Sequence, residues 1–336
     1  MRYLFRLYPA LRDRVSWTPL GHFPTPVRRL AVLGQRLGWE QLWVKEEDQT
    51  GERCGGNKVR PLEFLLPAVH QRGYRRVLVI APWGSHYALA VAAYAPILGL
   101  EVTALLGPCP LTPHVQRNLL QLQVFGARVV HLPTWAFLPA ALLREFLGSP
   151  ANLSASLPAL LPPGGTSPLG CLGYVEAALE LAAQVAAGEL PEPEVIVVAL
   201  GTGGTMAGLE VGCRLAGLKA RILGVDVVGR WFARPERISN LCRRTVHLLH
   251  SLGAEVAEEG FPVREVWIEH GFLGTGYGHS TPEVEAALKL AAETEGLYLE
   301  PTYTGKALAA LLHGGVRFTR QRRAVLFWNT AHRNFG

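Results

Sequence analysis

Six short runs of the chain, "VLVIA" (77–81), "VTALL" (102–106), "VVHL" (129–132), "VIVVAL" (195–200), "ILGVDVV" (222–228) and "AVLFW" (324–328), read as buried strands without polar alternation. Strands with one wet face alternate in polarity, whereas strands of a parallel sheet covered on both faces do not. Between these runs, "HYALAVAAYAPILG", "VQRNLLQLQVFG", "GYVEAALELAAQVAAG" and "PEVEAALKLAAETEG" have helical spacing, and each ends at a glycine, as helices commonly do. The alternation predicts an α/β protein with doubly wound, mostly parallel sheets. A further helix is predicted from Val59, with Pro61 in its first turn and Pro67 expected to kink or shorten it. Gly148 to Gly170 is rich in proline, glycine and serine and reads as a connection between two lobes.

Composition narrows the class. The 336 residues are 49% hydrophobic and 18% charged, enough for a large core divided between two lobes. The net charge of +6 comes from scattered basic residues and short pairs such as Arg75-Arg76 and Arg322-Arg323, not from the clustered stripe of a nucleic-acid binder. The five cysteines are far apart and form no Cys-x-x-Cys pair, which argues against a disulfide framework or a zinc site and for a reducing compartment. Histidines such as His279 and His332 show no metal-ligand spacing. The longest uncharged apolar run, Ala88 to Leu100, contains Pro96 and is too short to span a bilayer, and arginines interrupt the N-terminal segment. A cytosolic protein is expected.

Two stretches carry chemistry. In "VIVVALGTGGTMAGLEVG" a buried strand runs into Gly201-Thr202-Gly203-Gly204-Thr205 and then a helix. Glycines admit close approach of an anion, and free N–H groups with two threonine hydroxyls can donate to it, as in a phosphate cup. A plain turn is one alternative. A dinucleotide fingerprint is another: Asp226 ends the next strand as such a site requires, but Met206 stands where its last glycine should be. The second stretch is "GERCGGNKVRPLEF", in which Lys58, one of only five lysines, follows two glycines and Asn57 and precedes a helix. Partial burial and the positive end of the helix dipole would favour its neutral amine, the form that condenses with a carbonyl. A phosphate cup and an imine-forming lysine together suggest pyridoxal phosphate. Cys54, four residues earlier, has no base beside it and reads as structural.

With these motifs "FPTPVRRLAVLGQRLG", "LWVKEEDQTGERCGGNKVRPLEFLL", "PPGGTSPLGCLGYVEAALEL", "ALGTGGTMAGL" and "PTYTGKALAAL" occur in one order over nearly the whole chain. The set resembles the D-cysteine desulfhydrase and 1-aminocyclopropane-1-carboxylate deaminase family, whose fold is the two-lobed, tryptophan-synthase β-like one. That resemblance implies a large lobe of residues 1–59 and 167–336, a small lobe of residues 60–166, and usually a homodimer. It implies that Lys58 binds the pyridoxal phosphate aldehyde and that Gly201, Thr202, Gly203, Gly204 and Thr205 hold its phosphate, with Asn57 in the same signature but without a separate role.

The resemblance assigns further residues. Ser85 matches a serine close to the substrate. His86 and Tyr87 replace an asparagine near the cofactor's ring hydroxyl and the residue after it, so His86 is the candidate for that hydroxyl; otherwise it is a buried histidine opening a helix. Tyr277 and Tyr303 match two active-site tyrosines. Thr304 stands where the deaminases carry a glutamate that keeps the pyridine nitrogen protonated, as in the desulfhydrases. A hydroxyl in that place implies a weaker electron sink and favours elimination of a β leaving group over cyclopropane opening. Pro61 replaces a basic residue. The expected substrate is a small amino acid, first D-cysteine, then L-cysteine, serine derivatives and the cyclopropane amino acid. The competing readings are a degenerate pyridoxal phosphate binder and a nicotinamide-dependent dehydrogenase.

Overall fold

The computed structural model describes residues 2–147, 157–261, 263–314 and 324–331. Its strands form two sheets. The larger contains β1 (Val27–Arg29), β2 (Leu42–Glu46), β10 (Val325–Asn329), β7 (Val195–Leu200), β8 (Arg221–Asp226) and β9 (Trp267–Glu269), side by side in that order. Only the β1–β2 pairing is antiparallel. The smaller sheet is wholly parallel and runs β5 (Arg128–His131), β4 (Glu101–Gly107), β3 (Arg76–Pro82), β6 (Ala159–Leu160). All six apolar runs are strands, and the class is α/β with mostly parallel sheets, as expected. The C-terminal ends of β3 and β7, where a parallel sheet binds its ligands, carry the motifs singled out above.

The helices that cover the sheets start where their caps dictate. Ser167 accepts from Gly170 N–H at 3.1 Å, and Pro168 opens α7 (Pro168–Ala186). The end of the expected Gly148–Gly170 connection is therefore helix, and β6 interrupts it earlier; residues 148–156 lie outside the described residues, as do Arg322-Arg323 and His332. By length and composition α7 could cross a membrane, but 72% of its apolar window is buried in the protein, so it is a core helix. It packs on α8 (Gly204–Leu215), where a Cβ at Gly212 would lie 2.6 Å from that of Ala178.

Pro67 does not end its helix: α3 runs Val59–Gln71 through it. Proline cannot donate to the carbonyl four residues back, and here Thr18 N–H takes that Glu63 carbonyl at 3.0 Å. The N-terminal segment thus replaces the missing helical bond.

A buried ionic cluster ties the same region to the larger sheet. From β2, Lys45 Nζ donates to Glu180 Oε1 of α7 at 2.5 Å and to the carbonyl of Thr25 at 2.7 Å. From α3, Arg60 grips Glu47 with two bonds, 2.5 and 2.7 Å, and reaches Glu180 at 3.0 and 3.2 Å. Two cations and two carboxylates, all essentially without solvent contact, balance one another. Burial alone would raise the Glu180 carboxyl, but Arg60 and Lys45 overcome it and hold the group down at about 2. Replacing Glu180 with glutamine leaves two buried cations on one carboxylate. The expected loss is ~3–5 kcal/mol of stability, the cost of breaking a buried ion pair by removing one partner, read from urea unfolding. A loss within the ~0.5 kcal/mol typical of surface changes would contradict this account of the cluster.

Candidate active site

The turn after β7 is shaped by steric necessity. Gly203 has φ +96°, and a Cβ there would lie 2.5 Å from Ile238 Cδ1, so no other residue fits without displacement. It leads into the N-terminus of α8, whose first N–H groups have no partner in their own helix. Thr202 and Thr166 share a hydroxyl–hydroxyl bond of 2.5 Å at one side, and Thr205 accepts from Asn57 Nδ2 at 3.0 Å at the other. Asn57 thereby gains a contact that sequence reasoning had not supplied. Gly164, at φ +64°, packs so closely on Thr202 that any side chain would strike its hydroxyl. Its carbonyl accepts from Lys58 Nζ at 3.4 Å. The fold therefore brings Lys58, Asn57 and the 201–205 turn into one group.

Lys58 is the last residue before α3 and is partly buried. Burial without a carboxylate partner pushes its amine down from the usual lysine range to about 8. A sizeable neutral fraction then exists near neutrality, as nucleophilic attack requires.

The opposite wall comes from the small sheet. Ser85 caps α4 (His86–Tyr94), its hydroxyl accepting from Ala88 N–H at 3.4 Å, so this side chain is first a helix cap. His86 Nε2 lies 2.7 Å from Nε2 of His114, in the first turn of α5 (Pro113–Val124). Asn118 Nδ2 donates to Gly84 O at 2.8 Å and faces the same His114 nitrogen at 3.3 Å. An amide nitrogen only donates, so His114 Nε2 accepts and His86 supplies the proton between the two rings. Burial and then the Arg117 charge push His114 down to about 4, which keeps it neutral at physiological pH.

The His86 ring also lies 5.5 Å from that of Tyr303. Tyr303 packs edge-on against Tyr277 at 5.8 Å, with their hydroxyls hydrogen-bonded, and its ring faces Gly201 of the turn. Burial raises both phenols well above their usual range, so both are protonated.

Three residues complete the site that sequence reasoning passed over. Glu300 accepts N–H bonds from Thr302, Tyr303 and Thr304 at 2.7, 2.9 and 2.7 Å, a carboxyl group seated at the start of α11 (Thr304–Gly314). The Thr304 hydroxyl is not isolated: it donates to Glu300 Oε1 at 3.1 Å and accepts from Glu300 N–H at 3.1 Å. Lys306 Nζ donates to the carbonyls of Leu273 and Gly276 at 2.7 and 3.0 Å, securing the turn that carries Tyr277. Ligand atoms of His86, His114 and Glu300 lie within 4.8 Å of one another. The two imidazoles hydrogen-bond to each other and Glu300 accepts from the start of its own helix, so all three groups already have hydrogen-bond partners. An acidic residue four positions ahead of Thr304 was a legible helix-cap signal; His114 had none, because only folding brings α5 to α4.

Asp226 does not serve a ribose. Its Oδ1 accepts from Val228 and Gly229 N–H at 3.0 and 2.7 Å, and its Oδ2 meets His270 at 2.8 Å, so the carboxylate closes its own loop. Met206 packs its sulfur against Gly224. Cys54 is buried, its thiol pushed up to about 12, and is inert as expected.

Fold and site together define a parallel-sheet protein in which a lysine amine of lowered pKa lies beside a glycine–threonine turn at a helix N-terminus. Residues 18–329 match the model of the pyridoxal-phosphate dependent enzyme family, and the chain belongs to that family. A D-cysteine desulfhydrase of Klebsiella pneumoniae is 33% identical over 296 residues, 87% of this chain and 86% of that one. A Pyrococcus abyssi protein that carries the provisional name 1-aminocyclopropane-1-carboxylate deaminase is 32% identical over 306 residues, 90% of this chain and 88% of that one. Among solved structures, one described as a homologue of that deaminase has a TM-score of 0.78 at 27% identity, covering 98% of this chain and 94% of that one. The processed form of threonine deaminase isoform 2 from Solanum lycopersicum, at 16% identity and a TM-score of 0.66 over 99% of this chain and 85% of its own, shares the fold. The chain is a pyridoxal phosphate-dependent lyase or deaminase, which sets aside the dehydrogenase reading.

In protein stripped of cofactor, an amine-acylating reagent mapped to the peptide containing residue 58 should show a labelling midpoint near pH 8. The sign follows from the reagent's requirement for the neutral amine: labelling rises as pH rises through that value. A midpoint in the ordinary lysine range, about 10.4, would show that burial does not tune this amine.

Proposed function

We propose that the enzyme eliminates the β substituent of a small amino acid, with D-cysteine the first candidate, to give a keto acid, ammonia and the leaving group. The residues present fit the cofactor: a cradle closed to side chains at Gly164 and Gly203, donors at Thr166, Thr202, Thr205 and the start of α8, and an amine of lowered pKa at Lys58. In this reading Lys58 takes the aldehyde, residues 201–205 with Asn57 take the phosphate, and His86 and Thr304 meet the ring's hydroxyl and nitrogen. When bound, pyridoxal phosphate supplies the electron sink for negative charge at the substrate's α-carbon.

The observation that carries the elimination is the Tyr277–Tyr303 pair. One phenol donates to the other, which leaves one O–H to donate elsewhere, and both stay protonated at neutral pH. A departing thiolate needs such a proton. Lys58, once its amine is released to the site, is the base for the α-proton. Ser85, at the N-terminus of α4, turns the positive end of that helix toward a substrate carboxylate. Tyr87 and Pro61, two departures from the family pattern, pack on Gly165, where a Cβ would lie 3.1 and 3.2 Å from them; their role is to fill space beside the cradle.

One observation favours a second substrate. Because Glu300 stands behind Thr304, the hydroxyl does not imply the weak sink expected of it alone, and the cyclopropane amino acid stays the next candidate. The reading also takes residues 60–166 as the small lobe, built on the smaller sheet, and the chain as a cytosolic homodimer. A reducing compartment suits five free cysteines, four of them buried.

Purified holoenzyme should release sulfide, pyruvate and ammonia from D-cysteine. Lys58→Ala should lower turnover by at least the roughly 100-fold typical of losing a general base. Product from the cyclopropane amino acid alone would transfer the chain to the deaminase reading, and full activity in Lys58→Ala would end the scheme.

A further inference from the structure

Thr304 is fully buried, and every hydrogen-bonding direction of its hydroxyl but one is accounted for. The proton points to Glu300 Oε1 at 3.1 Å, closer than the Glu300 carbonyl at 3.4 Å, and one lone pair accepts Glu300 N–H. A second lone pair remains. A hydroxyl so fixed by a carboxylate is an acceptor toward any third group. A neutral pyridine nitrogen would oppose one lone pair to another, whereas a protonated nitrogen would donate into it.

Resting on the reading above, in which Thr304 meets the ring nitrogen, we infer that Glu300 acts through the Thr304 hydroxyl as the positioning carboxylate that keeps the cofactor's pyridine nitrogen protonated. The proton inventory balances. Either Glu300 is a carboxylate, with Thr304 donating to it and the ring N–H donating to Thr304, or Glu300 holds that proton as a carboxylic acid and Thr304 donates to a neutral ring. No proton enters or leaves; two hydrogens shift along one line.

The hydrogen-bond donors around Glu300 suit the first arrangement. N–H groups of Thr302, Tyr303 and Thr304 converge on Glu300 and stabilise its anion, and Lys306 stands within reach of its charge. Burial works in the opposite direction and outweighs these donors in the protein alone, raising the carboxyl; a positive charge on the ring nitrogen would oppose that rise. His114, facing from α5, is neutral and adds no charge, while His86 faces from α4 with its Nε2–H turned to His114. The relay therefore supplies what a carboxylate in direct contact would supply, from one residue further back.

The test is nitrogen NMR of the full chain reconstituted with pyridoxal phosphate carrying ¹⁵N in its ring. The native protein should show the pyridinium resonance across neutral pH. Thr304→Val, which leaves the Glu300 cap in place, should move it to the neutral pyridine position; Glu300→Gln should do the same, and Thr304→Ser should leave it where it was. A neutral-pyridine resonance in the native protein overturns the inference without recourse to any variant, as does an unmoved pyridinium resonance in Thr304→Val. Failure of the protein to retain the labelled cofactor would instead overturn the reading on which the inference rests.

Discussion

One buried carboxylate, Glu180, holds together the parts that make this site. It joins Lys45 of β2 to Arg60 of α3 across α7, and Arg60 in turn grips Glu47. Lys58 lies two residues before Arg60, so the loop that carries its amine is fixed by an ionic contact rather than by apolar packing alone. Desolvated ions seldom add stability over a well-packed apolar substitute, but their geometry is demanding, and a misplaced partner is costly. That property suits a loop in which the position of a single amine matters. Thr18, by taking the Glu63 carbonyl that Pro67 leaves open, ties the middle of the same helix to the N-terminal segment.

The same physical argument separates the lysines. Burial lowers the amines of Lys45 and Lys58 alike, but Glu180 and Glu47 beside Lys45 work against that shift, whereas Lys58 has a single carbonyl as partner and falls to about 8. Burial lowers Lys306 to about 8 as well, but its amine is anchored to two backbone carbonyls and positions a turn. Burial alone does not make a lysine reactive. Lys58 differs from Lys306 in where it lies, beside Gly164 and the 201–205 turn at the start of α8, whose first N–H groups have no partner in their own helix.

Much of this was legible in the chain. The six apolar runs declared the strands, because strands covered on both faces must be apolar throughout, and the glycine–threonine turn and Lys58 stood out by their neighbours. Short strands such as Val27–Arg29 and Trp267–Glu269 were invisible, since three residues show no periodicity. Leu42–Glu46 was hidden by Lys45 and Glu46, whose charges become tolerable only through partners distant in sequence. His114 belongs to the site through a tertiary contact, Glu300 through local bonds to the start of its own helix, and the meaning of Thr304 changed once Glu300 was seen beside it. A hydroxyl's polarity is set by what it faces, which no local pattern records.

The central claim is that the amine of residue 58, its pKa lowered by burial beside the 201–205 turn, is the group that carries the cofactor. Borohydride reduction of freshly purified protein, followed by peptide mass spectrometry, tests it directly. The account predicts a phosphopyridoxyl group fixed to Lys58 at one per chain. The same group on Lys45 or Lys306, or an unmodified Lys58 in protein that retains the cofactor, would contradict it.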